Sequence, residues 1–224
     1  MTILGKTWGL SLAWIVLLHG CSSDEDGPVP LDAAWVRLSP VEVAALPLAT
    51  QFQAPMGTEH GALTYNAQPF RTTRHLGDDL NGIGGWNSDL GDAVYASGAG
   101  RVVYAGTPSE GWGTMVILAH RVPERDAPHG WRAYLTVYAH LDTVLTKHGE
   151  VVPRGRKLGT VGTASGRYLA HLHFEIRRST SVYPGLGYSD GPLDRVSPEQ
   201  FLREHGLGMP DLIYGSPQRP QGSK

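Results

Sequence analysis

Trp131-Arg132-Ala133-Tyr134-Leu135-Thr136-Val137-Tyr138-Ala139-His140 is the stretch whose reading decides the fold class. Ala133, Leu135, Val137 and Ala139 fall on one face and Tyr134, Thr136, Tyr138 and His140 on the other, the period of two that predicts a half-buried strand. Working outward, Ala93–Ala96 and Gly100–Gly106 are short β-rich runs bounded by glycines, and Thr114–His120 is rich in aliphatics. Further short strands are expected within 149–153, 157–162 and 170–177. Many short strands with frequent glycine turns argue for a sandwich or barrel rather than a doubly wound sheet. One helix stands out near the C-terminus. Ser197 offers an N-cap, Pro198 suits the first helical position, Gln200 sits where a capping box needs it, and Gly206 can end the turn. Residues 41–46 fit a short helix or a strand equally well, and Pro47 ends either one.

The chain has 224 residues, room for one ordinary domain with extensions. With 41% hydrophobic and 18% charged residues its composition is that of a globular protein, and a net charge of -2 gives no electrostatic case for nucleic acid. Residues 1–20 carry Lys6 as their only charge and an apolar run at 10–18, too short to span a bilayer. Leu18-His19-Gly20-Cys21 follows, then a polar stretch. This resembles a bacterial lipoprotein signal, with His19 a departure from the usual small or aliphatic residue; the resemblance implies cleavage before Cys21 and lipid on its sulfur. Cys21 is the only cysteine, so an internal disulfide is excluded. The expected organisation is a signal peptide at 1–20, a tether at 21–30, an N-terminal extension at 31–60, the main domain at 61–206 and a tail at 207–224.

The chemistry lies in the histidines. His171 and His173 in AHLHFE are two apart, so on a strand they face the same way while Leu172 and Phe174 face a core. His75 and Asp79 in HLGDD lie before the first clear strand, where Gly77 and Asn81-Gly82 disfavour a helix; a bend or strand end could bring them together to chelate. Asp78 competes with Asp79 on composition alone. His140 completes the set. Histidines with a carboxylate are what a catalytic zinc needs, three protein ligands with a fourth position for water. The helical zinc motif H-E-x-x-H is absent from the chain.

Taken in order, His75-Leu76-Gly77-Asp78-Asp79, the glycine-rich run 96–106, Tyr138-Ala139-His140-Leu141 and His171-Leu172-His173-Phe174-Glu175 resemble the lysostaphin-type (LytM-like) zinc endopeptidases of bacterial cell walls. The resemblance covers roughly residues 70–180. It implies a mainly β fold of antiparallel sheets, a barrel-sandwich hybrid with an open groove, and one short C-terminal helix. It implies one zinc per chain held by His75, Asp79 and His173, with His140 and His171 as the catalytic pair, in either order of roles. One of the pair would take a proton from water and pass it to the leaving amine; the other would orient the water or stabilise the oxyanion. The implied substrate is the peptide part of peptidoglycan, and the implied location is the cell envelope, with the chain anchored to a membrane through lipid on Cys21 (outer membrane or periplasm in a Gram-negative organism).

Two departures from the family pattern are a longer linker after Asp79 (LNGIGGWNSDL, carrying Trp86) and a long loop at 121–131 that carries His129. Trp86 is either a groove wall or a surface residue packing its own loop. His120 is read as structural or as a supporting neighbour of the site, and Glu175 as a partner of the histidines or a solvated carboxylate. Two other functions compete with the wall endopeptidase: a non-catalytic wall-binding or regulatory module on the same fold, whose sign would be lost ligands, and a zinc peptidase acting on other proteins.

Overall fold

Strand β6, Trp131–Val144, is the spine of the protein. It pairs with β5 (Thr114–Pro123) along its length, and on its other edge with β9 (Leu172–Arg177) through Leu135–Ala139 and with β8 (Lys157–Val161) through Leu141–Val144. The computed structural model describes residues 37–57 and 63–206. The chain divides into two units, Met1–Leu31 and Asp32–Lys224. The expected signal peptide, tether and lipid-bearing Cys21, and the tail at 207–224, lie outside the described residues.

The remaining strands are β1 (Thr64–Gln68), β2 (Asp78–Gly82), β3 (Ala93–Tyr95), β4 (Gly100–Gly106), β7 (Val151–Val152) and β10 (Arg195–Val196). They run in the order β1-β2-β9-β6-β5-β4-β7, with β10 on β9 and β3 on β8, and every pairing between them is antiparallel. The mainly β, antiparallel architecture with a short C-terminal helix is therefore the one the chain adopts.

The half-buried reading of 131–140 needs correction: β6 is covered on both faces. Ala133, Leu135, Val137 and Ala139 pack with Val43, Leu46, Trp112, Met115 and Ile117, while Tyr134 and Tyr138 enter a second, larger core with Val116, Leu118, Leu172, Phe174 and Phe201. A strand with neighbours on both edges and a layer over each face has no wet side. Tyr and Thr fit its second face because their polar atoms find partners: the Tyr138 hydroxyl accepts from Ser97 N at 2.8 Å. His120 is buried in the same way. Its Nδ1–H donates to Ala99 O at 2.7 Å and Nε2 accepts from the Thr136 hydroxyl at 2.8 Å, which makes it a structural histidine.

Residues 41–46 resolve as a helix, α1 (Pro40–Ala44), because Ser39 and Glu42 form a full capping box and Arg101 and Arg121 donate to the carbonyls of Ala45 and Ala44. The following residues thread into the main core, where Ala49, Phe52 and Met56 are buried; the Phe52 ring meets Phe201 of helix α2 (Pro198–His205) edge-on at 4.9 Å. In α2, Ser197 Oγ accepts from Gln200 N as expected, but the Gln200 side chain bonds Glu204 instead of closing a capping box.

Candidate metal centre

The site forms where β2 pairs with β9. Asp79 lies opposite His173 and Asp78 opposite Phe174. Directly paired residues share a face, so Asp79 joins His173 on one side of the sheet while Asp78 turns to the core side with Phe174. The Asp78 carboxyl accepts from Phe70 N at 2.8 Å, and burial pushes it up to about 6. Strand parity thus selects Asp79 over Asp78. His75 enters from a bend just before β2, held by a single bridge to Tyr188 and by Leu76 N donating to Gly187 O. HLGDD is half bend and half strand, since β2 begins at Asp78.

His75 Nε2, His173 Nδ1 and Asp79 Oδ1 converge. Nε2 and Nδ1 are 3.0 Å apart, and Asp79 Oδ1 is 3.3 Å from the first and 2.9 Å from the second. Zinc bonds of about 2.0–2.1 Å in a tetrahedron place neighbouring donors about 3.3 Å apart, so the spacing fits. The outward nitrogens explain why a cation suits this point. His75 Nδ1 is 3.1 Å from Gln68 O, a carbonyl that only accepts, and His173 Nε2 is 3.2 Å from the Glu175 carboxylate. Each outer nitrogen thus has an acceptor for its ring proton, so His75 Nε2 and His173 Nδ1 can turn lone pairs to a metal ion bound between them. Two imidazole nitrogens and a carboxylate oxygen meeting at one point form a donor set that fits zinc. The electrostatics show that this point favours positive charge, which a proton shared between His173 and Asp79 or a bound cation can supply. Burial alone would depress His173, yet Asp79 and Glu175 raise it to about 9; burial alone would raise Asp79, yet His173 and His75 hold it well below the usual carboxylate range.

His140 and His171 stand beside these donors. The His140 ring lies 4.7 Å from that of His171 and 5.6 Å from that of His173, and His171 Nε2 is 3.7 Å from Asp79 Oδ1. Regular alternation would send His140 into the core with Tyr138. Instead Met115 alone opposes Ala139 and His140, a bulge, and His140 takes a left-handed φ of 63°. The bulge re-aims the ring towards the histidines, a backbone strain held by His140 N and Nδ1 both donating to Trp112 O at 3.1 Å. Burial, reinforced by His173 and His171, pushes His140 down to about 3, so it is neutral at physiological pH. His171 Nδ1–H donates to Leu169 O at 2.8 Å. Both rings thus keep Nε2 free to take a proton.

All five sequence-identified residues line one cleft of about 400 Å³, with Gln68, Trp112, Tyr168, Leu186 and Tyr188 among its walls. Glu175 is fully buried rather than solvated: besides His173 it receives Arg177 Nε at 2.6 Å and Arg195 Nε at 3.3 Å. Burial would raise it, but Arg177, His173 and Arg195 hold it at about 2. Trp86 is 83% exposed and does not line the cleft, and His129 is an exposed loop residue beside Trp131. Sequence reading missed Trp112, Tyr168, Tyr188, Arg177 and Arg195. Arg177 alone had a signal, since it shares strand parity with His173 and Glu175.

Residues 81–184 match the model of Peptidase family M23; His75 and Asp79 lie just before that span. Lipoprotein NlpD of Yersinia enterocolitica is 38% identical over 95 residues, 42% of this chain and 87% of that sequence. Murein hydrolase activator NlpD of Escherichia coli is 39% identical over 95 residues, 42% of this chain and 22% of the relative, so this chain spans about a fifth of that protein's length. A crystal structure from Pseudomonas aeruginosa named for peptidase M23 superposes with a TM-score of 0.50 at 24% identity, covering 76% of this chain and 56% of that one, a likeness of fold. The chain belongs to peptidase family M23.

Proposed function

We propose that this chain is a zinc-dependent endopeptidase that hydrolyses peptide bonds in the stem peptides or cross-links of peptidoglycan. The observation that carries the reading is the convergence of three potential ligand atoms, on His75, Asp79 and His173, in a cleft that His140 and His171 also line. His75, Asp79 and His173 would hold the metal. When bound there, zinc supplies a Lewis acid that polarises a carbonyl and acidifies water. His171, with Nδ1–H committed to Leu169 O and Nε2 next to Asp79, is placed to accept a proton from the attacking water and return it to the leaving amine. His140, locked through Trp112 O, is placed to orient that water or to stabilise charge on the substrate oxygen; the pair can exchange these roles. Gln68 O and Glu175 fix the tautomers of His75 and His173. The uncharged walls Trp112, Tyr168, Leu186 and Tyr188 exclude water and suit an extended peptide.

In this reading residues 61–206 are the peptidase domain, and lipid on Cys21 with the 21–30 tether holds it in the cell envelope beside the wall polymer. The name of the Yersinia enterocolitica relative, a lipoprotein, supports that address. Purified sacculi test it: new amino termini should appear with the zinc-loaded protein and vanish with a chelator or in His171→Ala. A second reading, a regulator of murein hydrolases, draws on the relative named as an activator. It predicts zinc binding with no release from sacculi, and stimulation of a separate hydrolase. The converging donor set and the flanking histidine pair favour the first.

A further inference from the structure

Behind His173 lies a buried ionic cluster that the chemistry above uses only at its near end. Glu175 is 0% exposed and Arg177 1%, and burying such charges is costly unless every one of them is matched. Here the match is close to complete. Glu175 divides its oxygens, with Oε1 accepting from His173 Nε2 and Oε2 from Arg177 Nε and Arg195 Nε. The other ends of both arginines reach the segment 183–187, which supplies one wall of the cleft. Arg177 donates to Tyr183 O and Pro184 O at 2.8 Å, and Arg195 to Pro184 O at 3.3 Å and Leu186 O at 3.4 Å. Trp112 Nε1 donates to the intervening Gly185 O at 3.0 Å, its ring lies edge-on to His173 at 5.3 Å, and the Arg177 guanidinium stands over it at 6.0 Å. Four successive carbonyls of a segment that belongs to no strand are thus held by side chains of one cluster.

We propose that Arg177 and Arg195 are positioning residues that couple the donor orientation of His173, through Glu175, to the shape of the 183–187 wall. The inference rests on the metal reading of the site. A packing role needs no charge there, since an apolar side chain of the same volume would fill the space at lower cost. The guanidinium is needed because a planar fork can serve a carboxylate on one edge and two carbonyls on the other. A wall held this way responds when the His173 ring is fixed by metal, and the coupling is reciprocal: a loosened wall weakens metal binding.

Hydrogen exchange of residues 183–188 and zinc affinity by chelator competition test this together, with circular dichroism to confirm folding. In the wild type, zinc should slow exchange in 183–188. Arg177→Met keeps the packing and removes the fork. It should exchange fast in that segment with or without zinc and should bind zinc about 10–100-fold more weakly. Arg195→Met and Glu175→Gln are read in the same way, and they carry the test if Arg177→Met does not fold. Glu175→Gln/Arg177→Met should lose no more affinity than the worse single variant, since the two act in one chain of contacts. A folded Arg177→Met with zinc affinity within twofold of wild type overturns the inference, as do fully additive losses in the double variant. A wild type that binds no zinc overturns the metal reading itself, and this inference with it.

Discussion

Gly77→Ala is the smallest change that reaches the centre of the site. Gly77 sits between His75 and Asp79, and β2 approaches β9 so closely there that a methyl group would lie 2.6 Å from Phe174 O and 2.9 Å from Cε1 and Nε2 of the His173 ring. Ordinary contact begins near 3.4 Å, so the strand must retreat about 0.8 Å from the carbonyl and the ring about 0.5 Å from the methyl. Overpacking of this kind costs about 1–3 kcal/mol, and at about 2–4 °C per kcal/mol the melting temperature should fall by about 2–12 °C. The larger effect falls on the metal. Donor distances in such sites hold to about 0.2 Å, and the ring atom being pushed is the one that donates to Glu175, so zinc affinity should drop at least about tenfold. Thermal melts and chelator competition measure both, with Gly191→Ala, whose methyl would meet nothing within 4 Å, as the control. Gly77→Ala with a melting temperature within 1 °C of wild type (about 1 °C being well under the expected shift) and unchanged zinc affinity would refute the reasoning.

His75→Ala, Asp79→Ala and His173→Ala should each lose zinc, and their melting temperatures should no longer respond to chelator, because a ligand bound only by the native state is what raises it; full zinc occupancy in Asp79→Ala by metal analysis would sink the ligand set. His140→Ala and His171→Ala should retain zinc and lose turnover on sacculi, and a variant as active as wild type would remove that residue from the mechanism. His120 carries a pH prediction. Burial lowers it from 6.5 to about 4, so as pH falls the unfolded chain takes the proton first; its contribution is complete above about 6.5 and is lost between there and about 4. Urea melts at pH 7 and pH 4.5 should show His120→Gln losing less stability on acidification than wild type, and equal losses would refute the assignment.

The pattern of residues had much of this protein in it. Alternation at 131–140 and the glycine-bounded runs marked most of the strands, because period two and turn residues are local properties. Strand β1, β2 from Asp78 onward and β10 were missed, since short polar strands such as TYNAQ and DDLNG carry no apolar alternation and exist through their partners. Residues 41–46 fitted a helix or a strand equally well because α1 also depends on Arg101 and Arg121 reaching its carbonyls from β4 and β5.

The sequence by itself determined the residue types of the site and the common face of His171 and His173, because both are written in composition and parity along one strand. The pairing of β2 with β9 decided that Asp79 and not Asp78 meets His173, and the bulge at His140 overrode the parity that would have buried it in the core. Glu175 became a buried anion only when Arg177 and Arg195 closed around it, from one residue two places along β9 and another across the sheet. Those outcomes depend on which groups face one another across strands, and a linear pattern holds no record of that until the register between strands is set.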